Sequence, residues 1–350
     1  DLKTSAATIA DWPSNNLILN CTSKNNCDDK TMENADGFAA KLTCGEGNVF
    51  DGCMSYNNSD DGWDLYAKTE TGPIGVVTIQ NCVAFRNGYT EFGEGYGNCD
   101  GNGFKLGGGG VGSAHVVKNC LAFENLNCGF TDNNNPKLGS LTNCTAYNNN
   151  LGGNKKYNIA CYRCDDPGAD FSNVISYFSK GNLTSNLGVS GVVVANDKFC
   201  GTIQNSIYYN GAYYQVGEKT AIANGEKVGT KGAAISDDDF EAVTVPQMGT
   251  DFDTAWRNSD GSINTHGFMQ VKESSALYSI LGAKFQQIDT PPVVTTATTK
   301  ATEETTTAAV TSETTRESAS ETTASAATSD STASKTTEKT TAAQIGRAHV

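Results

Sequence analysis

The chain has 350 residues and a formal net charge of −14, long enough to bury a large core. Acidity on that scale argues against a nucleic-acid partner, and it repels an acidic polysaccharide unless a bound cation and local lysines invert the field at the site. No run approaches the length of a transmembrane helix, so membrane insertion is not expected.

The chain begins at Asp1 with no initiator Met, compatible with removal of a signal peptide. Two segments then recur. The first reads Asp36-Gly37-Phe38-Ala39, Asp61-Gly62-Trp63-Asp64, Asn102-Gly103-Phe104-Lys105 and Cys128-Gly129-Phe130-Thr131. The second reads Gly52-Cys53-Met54-Ser55-Tyr56-Asn57-Asn58, then Asn81 to Asn87, Asn119 to Asn125 and Asn143 to Asn149, with weaker copies from Asn173 and Asn205. Copies of the second are spaced 24 to 38 residues apart, the mark of a solenoid with loops of varying length. Within each copy apolar residues alternate with polar or small ones, the period of a strand, and the Gly- and Asn-rich stretches between are turn chemistry. Asn58, Asn87, Asn125 and Asn149 fall in one column. The expected fold is all-β, a right-handed parallel β-helix carrying an asparagine ladder; solvent-exposed turn asparagines are the alternative reading of that column.

Twelve cysteines lie within the first 200 residues. A disulfide framework is the first guess for a secreted chain, but Cys53, Cys82, Cys120 and Cys144 share one place in the repeat and predict a stacked apolar column. Cys161 and Cys164 have CxxC spacing, with no second ligand pair to complete a zinc site. From about Gly211 to Gln287 the repeat is lost, and loops and short helices packed along the solenoid and closing its C-terminal end are expected. The β-helical domain is placed at 1–288. Residues 289–344, rich in Thr, Ser and Ala, read as a disordered linker with the composition of an O-glycosylated stalk, after which a further module is expected in the natural protein. Residues 345–350 resemble translated adapter sequence and read as an artefact.

The residue after the repeated aromatic changes from Ala39 to Asp64 to Lys105 to Thr131. In-register stacking makes Asp64 and Lys105 neighbours, roughly 5 Å apart along the stack. Asp36, Asp60, Asp61 and Asp64 can converge from two consecutive coils, which suits a hard cation such as calcium, which takes six to eight oxygen ligands; a solvated acidic turn is the bland alternative. Lys105 is either a surface lysine paired with Asp64 or a general base. A lysine with its ordinary pKa of about 10.4 is a poor base at neutral pH; calcium would lower that value and Asp64 would raise it, so an alkaline optimum is expected.

Asn34 to Leu42, Asn58 to Leu65 and Gly101 to Gly107 together resemble the family 9 pectate lyases, over roughly Thr31 to Gln287 and most closely from Glu33 to Asn150. The resemblance implies a right-handed parallel β-helix that cleaves polygalacturonate by calcium-dependent β-elimination, with Asp36, Asp60, Asp61 and Asp64 as calcium ligands and Lys105 as base. It departs at the N-terminus, where the family has more coils, so the natural protein is expected to begin earlier. Lys41, Lys137, Lys155, Lys156 and Arg163 are candidates for holding other carboxylates of the polymer. A secreted monomer is expected. Two rivals stand: a polygalacturonase-type hydrolase using two of the carboxylates, and a non-catalytic polysaccharide-binding β-helix. The histidines of the globular region, His115 and His266, lie far apart in sequence and support no histidine mechanism.

Overall fold

A computed structural model describes residues 4–288 except 6–7, 91–92, 95–97, 153–156, 162–168, 180–191, 194–200, 210–212, 217–234, 248 and 281. Its strands stack into three parallel sheets. The first contains Leu17–Leu19, Asn48–Asp51, Val77–Gln80, His115–Lys118, Gly139–Thr142, Ala169–Ser172 and Gly201–Gln204. The second runs through Thr22–Lys24, Met54–Tyr56, Val83–Phe85, Leu121–Phe123, Thr145–Tyr147, Ile175–Tyr177 and Ser206–Tyr209, and adds Tyr213–Val216 antiparallel to the last of these. The third is built of two-residue strands: Phe38–Ala39, Trp63–Asp64, Phe104–Lys105, Phe130–Thr131, Ile159–Ala160 and Val192–Val193. Each coil visits the three sheets in turn, which is the expected parallel β-helix.

The repeats keep register throughout. Phe38 lies beside Trp63, Trp63 beside Phe104, and Phe104 beside Phe130. Their rings stack at centroid distances of 4.9, 4.7 and 4.8 Å, about the spacing of hydrogen-bonded strands. These rings point inward with Cys53, Cys82, Cys120, Cys144, Ala84, Ala122 and Ala146 and form the interior core. The four column cysteines are buried free thiols, as expected of small apolar core residues. Cys161 is also buried, whereas Cys164 lies outside the described residues.

The expected asparagine ladder is present, buried from Asn58 onward, and longer than the four residues read from the repeat. Asn26 Nδ2 donates to Asn58 Oδ1, Asn58 to Asn87, Asn87 to Asn125, Asn125 to Asn149 and Asn149 to Asn158, all at 2.7–3.0 Å. The side chains of Asn58, Asn87, Asn125 and Asn149 crowd the repeated glycines Gly37, Gly62, Gly103 and Gly129. A Cβ at Gly103 would lie 2.6 Å from Gly129 O and 2.8 Å from Asn125 Nδ2, so the close approach of coil to coil requires glycine there. A second, partly exposed ladder runs along the turn between the first two sheets. Asn119 donates to Asn81, Asn173 to Asn143, and Asn205 to Asn173, each at 2.8 Å. All five of these residues have φ between 42° and 56°, the left-handed region that asparagine tolerates and most residues do not.

In the second sheet Met54, Tyr56, Val83, Phe85, Leu121, Phe123, Tyr147, Ile175 and Tyr177 form a second core. They belong to three-residue strands buried at every position, so both faces of this sheet are covered. The cover is the non-repeating segment from Ile235 to Phe285, which contributes Phe240, Phe252, Trp256 and Phe268. It contains a 3-10 turn at Asp237–Asp239 and a short helix at Phe252–Ala255. It lies along the flank as expected. Arg257 donates to Cys21 O and Gly52 O, Ala283 N to Thr145 Oγ1, and Asn205 to Ser279 O, so it runs the length of the stack rather than closing only its C-terminal end. By its contacts Asp1–Pro292 is one compact unit. The Thr/Ser/Ala-rich stretch 289–344 and the terminal 345–350 lie outside the described residues.

Candidate active site

The inward aromatic of each third-sheet strand is followed by a residue on the opposite face, because side chains alternate along a strand. Ala39, Asp64, Lys105 and Thr131 therefore share a column, and Lys105 is the register partner of Asp64. Asp60 and Asp61 sit on the turn entering the Trp63–Asp64 strand, and Asp36 occupies the place of Asp61 one coil earlier, its Oδ1 accepting from Asp61 N at 3.2 Å.

All four predicted acids converge. One carboxylate oxygen from each of Asp36, Asp61 and Asp64 lies within 4.8 Å of the others, and the same holds for Asp60, Asp61 and Asp100. Asp61 is common to both groups. In three of these side chains one oxygen is anchored and the other faces a cation. Asp61 Oδ1 accepts from both Asn102 N and Asn102 Nδ2 at 2.8 Å while Oδ2 lies 2.9 Å from Lys105 Nζ. Asp64 Oδ1 accepts from Tyr66 N at 3.0 Å while Oδ2 lies 2.7 Å from Lys41 Nζ. Asp36 Oδ2 lies 2.8 Å from the same lysine. Asp60 is placed differently: its oxygens take the Asn34 and Asp100 amides, both at 2.7 Å, and so tie two turns together.

Lys105 is buried, at 9% exposure, and its partners are Asp61 and Asp100, each at 2.9 Å. It is therefore not a surface lysine paired with Asp64, the bland expectation. Burial alone would lower its pKa, but Asp61, Asp64 and Asp100 outweigh that and hold it well above the ordinary lysine value. Burial and repulsion from Asp64 push Asp36 up to about 6 despite Lys41. Burial likewise raises Asp60 and, further, the fully buried Asp61. Five carboxylates face two ammonium groups, and Asp61 Oδ2 receives no directed hydrogen bond even though it lies beside Lys105. Such a donor set, oxygen-rich and short of positive charge, fits a hard divalent cation.

Of the remaining sequence candidates, only Lys137 is among the described residues. Lys137 lies on an exposed turn beside Gly112; Lys155, Lys156 and Arg163 lie outside the described residues. Sequence reasoning did not single out Asp100 or Asn102. Asp100 is the one acid of the Asn98–Gly103 turn, two residues before the column of Asp61, and that placement was the available signal. His115 is core: its Nδ1 accepts from Val77 N at 3.1 Å, its Nε2 is buried without a partner, and burial pushes its pKa down to about 3.

Residues 2–166 match the family model described as "Pel9A-like, right handed beta helix region". By this match and by the relatives below, the chain resembles the family 9 pectate lyases. Its right-handed β-helix is 43% identical over 273 residues to pectate lyase L of Paenibacillus polymyxa (strain SC2), covering 77% of this chain and 51% of that relative. It is 54% identical over 148 residues to pectate lyase L of Thermoclostridium stercorarium, covering 42% and 12%, and 44% identical over 138 residues to a pectate disaccharide-lyase of Dickeya chrysanthemi, covering 39% and 17%. The chain thus spans about half or less of these relatives. Among solved structures, pectate lyase Pel9A superposes with a TM-score of 0.52 at 26% identity, over 75% of this chain and 54% of that one. A rhamnogalacturonan lyase superposes with a TM-score of 0.54 at 24% identity, over 77% and 60%, a likeness of fold.

Proposed function

We propose that this protein is a calcium-dependent pectate lyase acting on polygalacturonate outside the cell, as a monomer. The observation that carries the reading is a buried lysine sharing one carboxylate, Asp61, with a cluster of oxygens short of positive charge. Asp36, Asp60, Asp61 and Asp64 would hold calcium. Bound there, it would supply Lewis-acid stabilisation of the charge that develops on the uronate carboxylate.

Lys105 Nζ acts as the general base. It takes the proton from C5 of the uronate, the C5–H electron pair becomes the C4=C5 double bond, and the C4–O bond breaks with its electrons leaving on oxygen. The amine must be neutral to accept that proton, and Asp61 and Asp100 favour its charged form, so activity is expected to rise toward alkaline pH. Asn102 fixes Asp61 through two hydrogen bonds and keeps that carboxylate aimed at the lysine. Lys137, Lys155, Lys156 and Arg163 remain proposals for binding further carboxylates of the polymer.

The test is the absorbance of the unsaturated uronide product during incubation with polygalacturonate, with calcium or with a chelator, for wild type and Lys105→Ala. A calcium-dependent rise that the variant loses, with its fold intact by circular dichroism, is expected. Reducing ends without that absorbance would mean a hydrolase, and no product from folded wild type would mean a binding module.

A further inference from the structure

Lys41 occupies a place its sequence position did not announce. Its ammonium lies 2.8 Å from Asp36 Oδ2 and 2.7 Å from Asp64 Oδ2, and its side chain is 9% exposed. Asp36 and Asp64, with Asp61, are the carboxylates whose oxygens lie within 4.8 Å of one another. The ammonium therefore sits between two of the oxygens that a bound cation would use. Calcium–oxygen distances are about 2.3–2.6 Å, close to the separations Lys41 already makes, so a cation bound to these two oxygens and the ammonium compete for one space. Both being positive, they also repel at that range.

The surroundings explain why a lysine stands here. Asp36 and Asp64 are buried, and two buried carboxylates facing each other without a cation are costly. Asp36 and Asp64 also have their second oxygens fixed by the backbone amides of Asp61 and Tyr66, so they cannot turn away to relieve the repulsion. Lys41 is carried on the turn leaving the Phe38–Ala39 strand, next to Leu42 with φ 65°. Its flexible four-carbon stem allows the ammonium to leave the carboxylates without any change in the strand.

We infer that Lys41 is an internal stand-in for the metal: its ammonium neutralises Asp36 and Asp64 when calcium is absent, and calcium binds by displacing it. This rests on the calcium site proposed above. The exchange sets the affinity for calcium below what the carboxylates alone would give, and it holds the empty site in its binding geometry. It also frees one positive charge at the site each time the cation binds.

The test is calcium binding by isothermal titration for wild type and Lys41→Met, an uncharged side chain of similar length, with thermal melts in chelator. Lys41→Met is expected to bind calcium roughly tenfold or more tightly, because a buried ion pair no longer has to be broken, and to melt at lower temperature in chelator. Unchanged or weaker binding by a folded variant overturns the proposal and makes Lys41 a fixed strut of the site. Binding by neither protein overturns the calcium site and this proposal with it. A second measurement uses the wild-type protein alone: acetylation of lysines followed by mass spectrometry. Lys41 is expected to be protected in chelator and to react several-fold faster with calcium bound; equal protection in both states refutes displacement, whatever the variant does.

Discussion

Replacing Asn87 by alanine tests the physical basis of the stack. Asn87 is fully buried. Its Nδ2 donates to Asn125 Oδ1 at 2.9 Å and Ser55 O at 3.2 Å, and its Oδ1 accepts from Asn58 Nδ2 at 2.9 Å and Asn58 N at 3.4 Å. Alanine removes all four contacts, but they are not equivalent. Asn58 Nδ2 keeps Ser55 Oγ and Ser23 O, and Asn125 Oδ1 keeps the Asn87 backbone amide. The buried Asn58 amide is left with no acceptor. One orphaned buried donor costs about 1–3 kcal/mol and each of the three hydrogen bonds lost without an orphan about 1, so the expected loss is about 4–6 kcal/mol. Asn81→Gly supplies the comparison. Asn81 also makes a ladder contact, but it is half-exposed and has φ 54°, so water can replace the lost partner and glycine tolerates the backbone; the expected cost is below about 1 kcal/mol. Urea unfolding followed by circular dichroism and by tryptophan fluorescence measures both, with coincident transitions validating the comparison. An Asn87→Ala cost below 1 kcal/mol, or equal costs for the two variants, would refute the view that buried satisfaction rather than ladder membership stabilises the coils.

Other outcomes follow from buried groups outside the site. Burial holds the folded-state pKa of His115 at about 3, below its ordinary value of about 6.5, so the unfolded chain binds a proton that the native one refuses as pH falls from 6.5 toward 3. Stability from this residue is full above 6.5 and declines across that window, by on the order of 4–5 kcal/mol at about 1.4 per unit. His115→Asn, whose Oδ1 can still accept from Val77 N, should unfold with a shallower acid dependence in urea midpoints between pH 7 and 4; parallel curves would contradict the assignment. In the cysteine column, Cys82, Cys120 and Cys144 should resist a thiol reagent in the native state while exposed Cys21 and Cys27 react; rapid labelling of Cys120 would show that the core opens.

The fold was legible because a solenoid writes its register into the sequence. Once Phe38, Trp63, Phe104 and Phe130 are aligned, their stacking and the column of Asp64 and Lys105 follow. The acids were legible because they break the pattern of the coil rather than serve it. Lys41 and Asp100 were harder. Which carboxylates a long side chain reaches depends on where neighbouring turns bring them, and a column does not encode that. The flanking segment was harder still. Phe252, Trp256 and Phe268 carry no period, and Phe85 or Phe123 reads the same in a strand whether its outer face is wet or covered.

That flanking segment changes how the stack can come apart. Coils that touch only their neighbours fray one by one from either end, each release costing little. Here residues between Ile235 and Ile288 are bonded to coils as distant as those of Cys21, Thr145 and Asn205. A middle coil cannot be shed while the tie across it holds, and the tie is made by the last portion of the domain to be synthesised. Until it docks, the newborn helix presents a bare ribbon of aromatic rings; afterwards, loosening becomes all-or-none. The terminal segment is thus the binding of the book: it adds no page, and without it the pages turn separately.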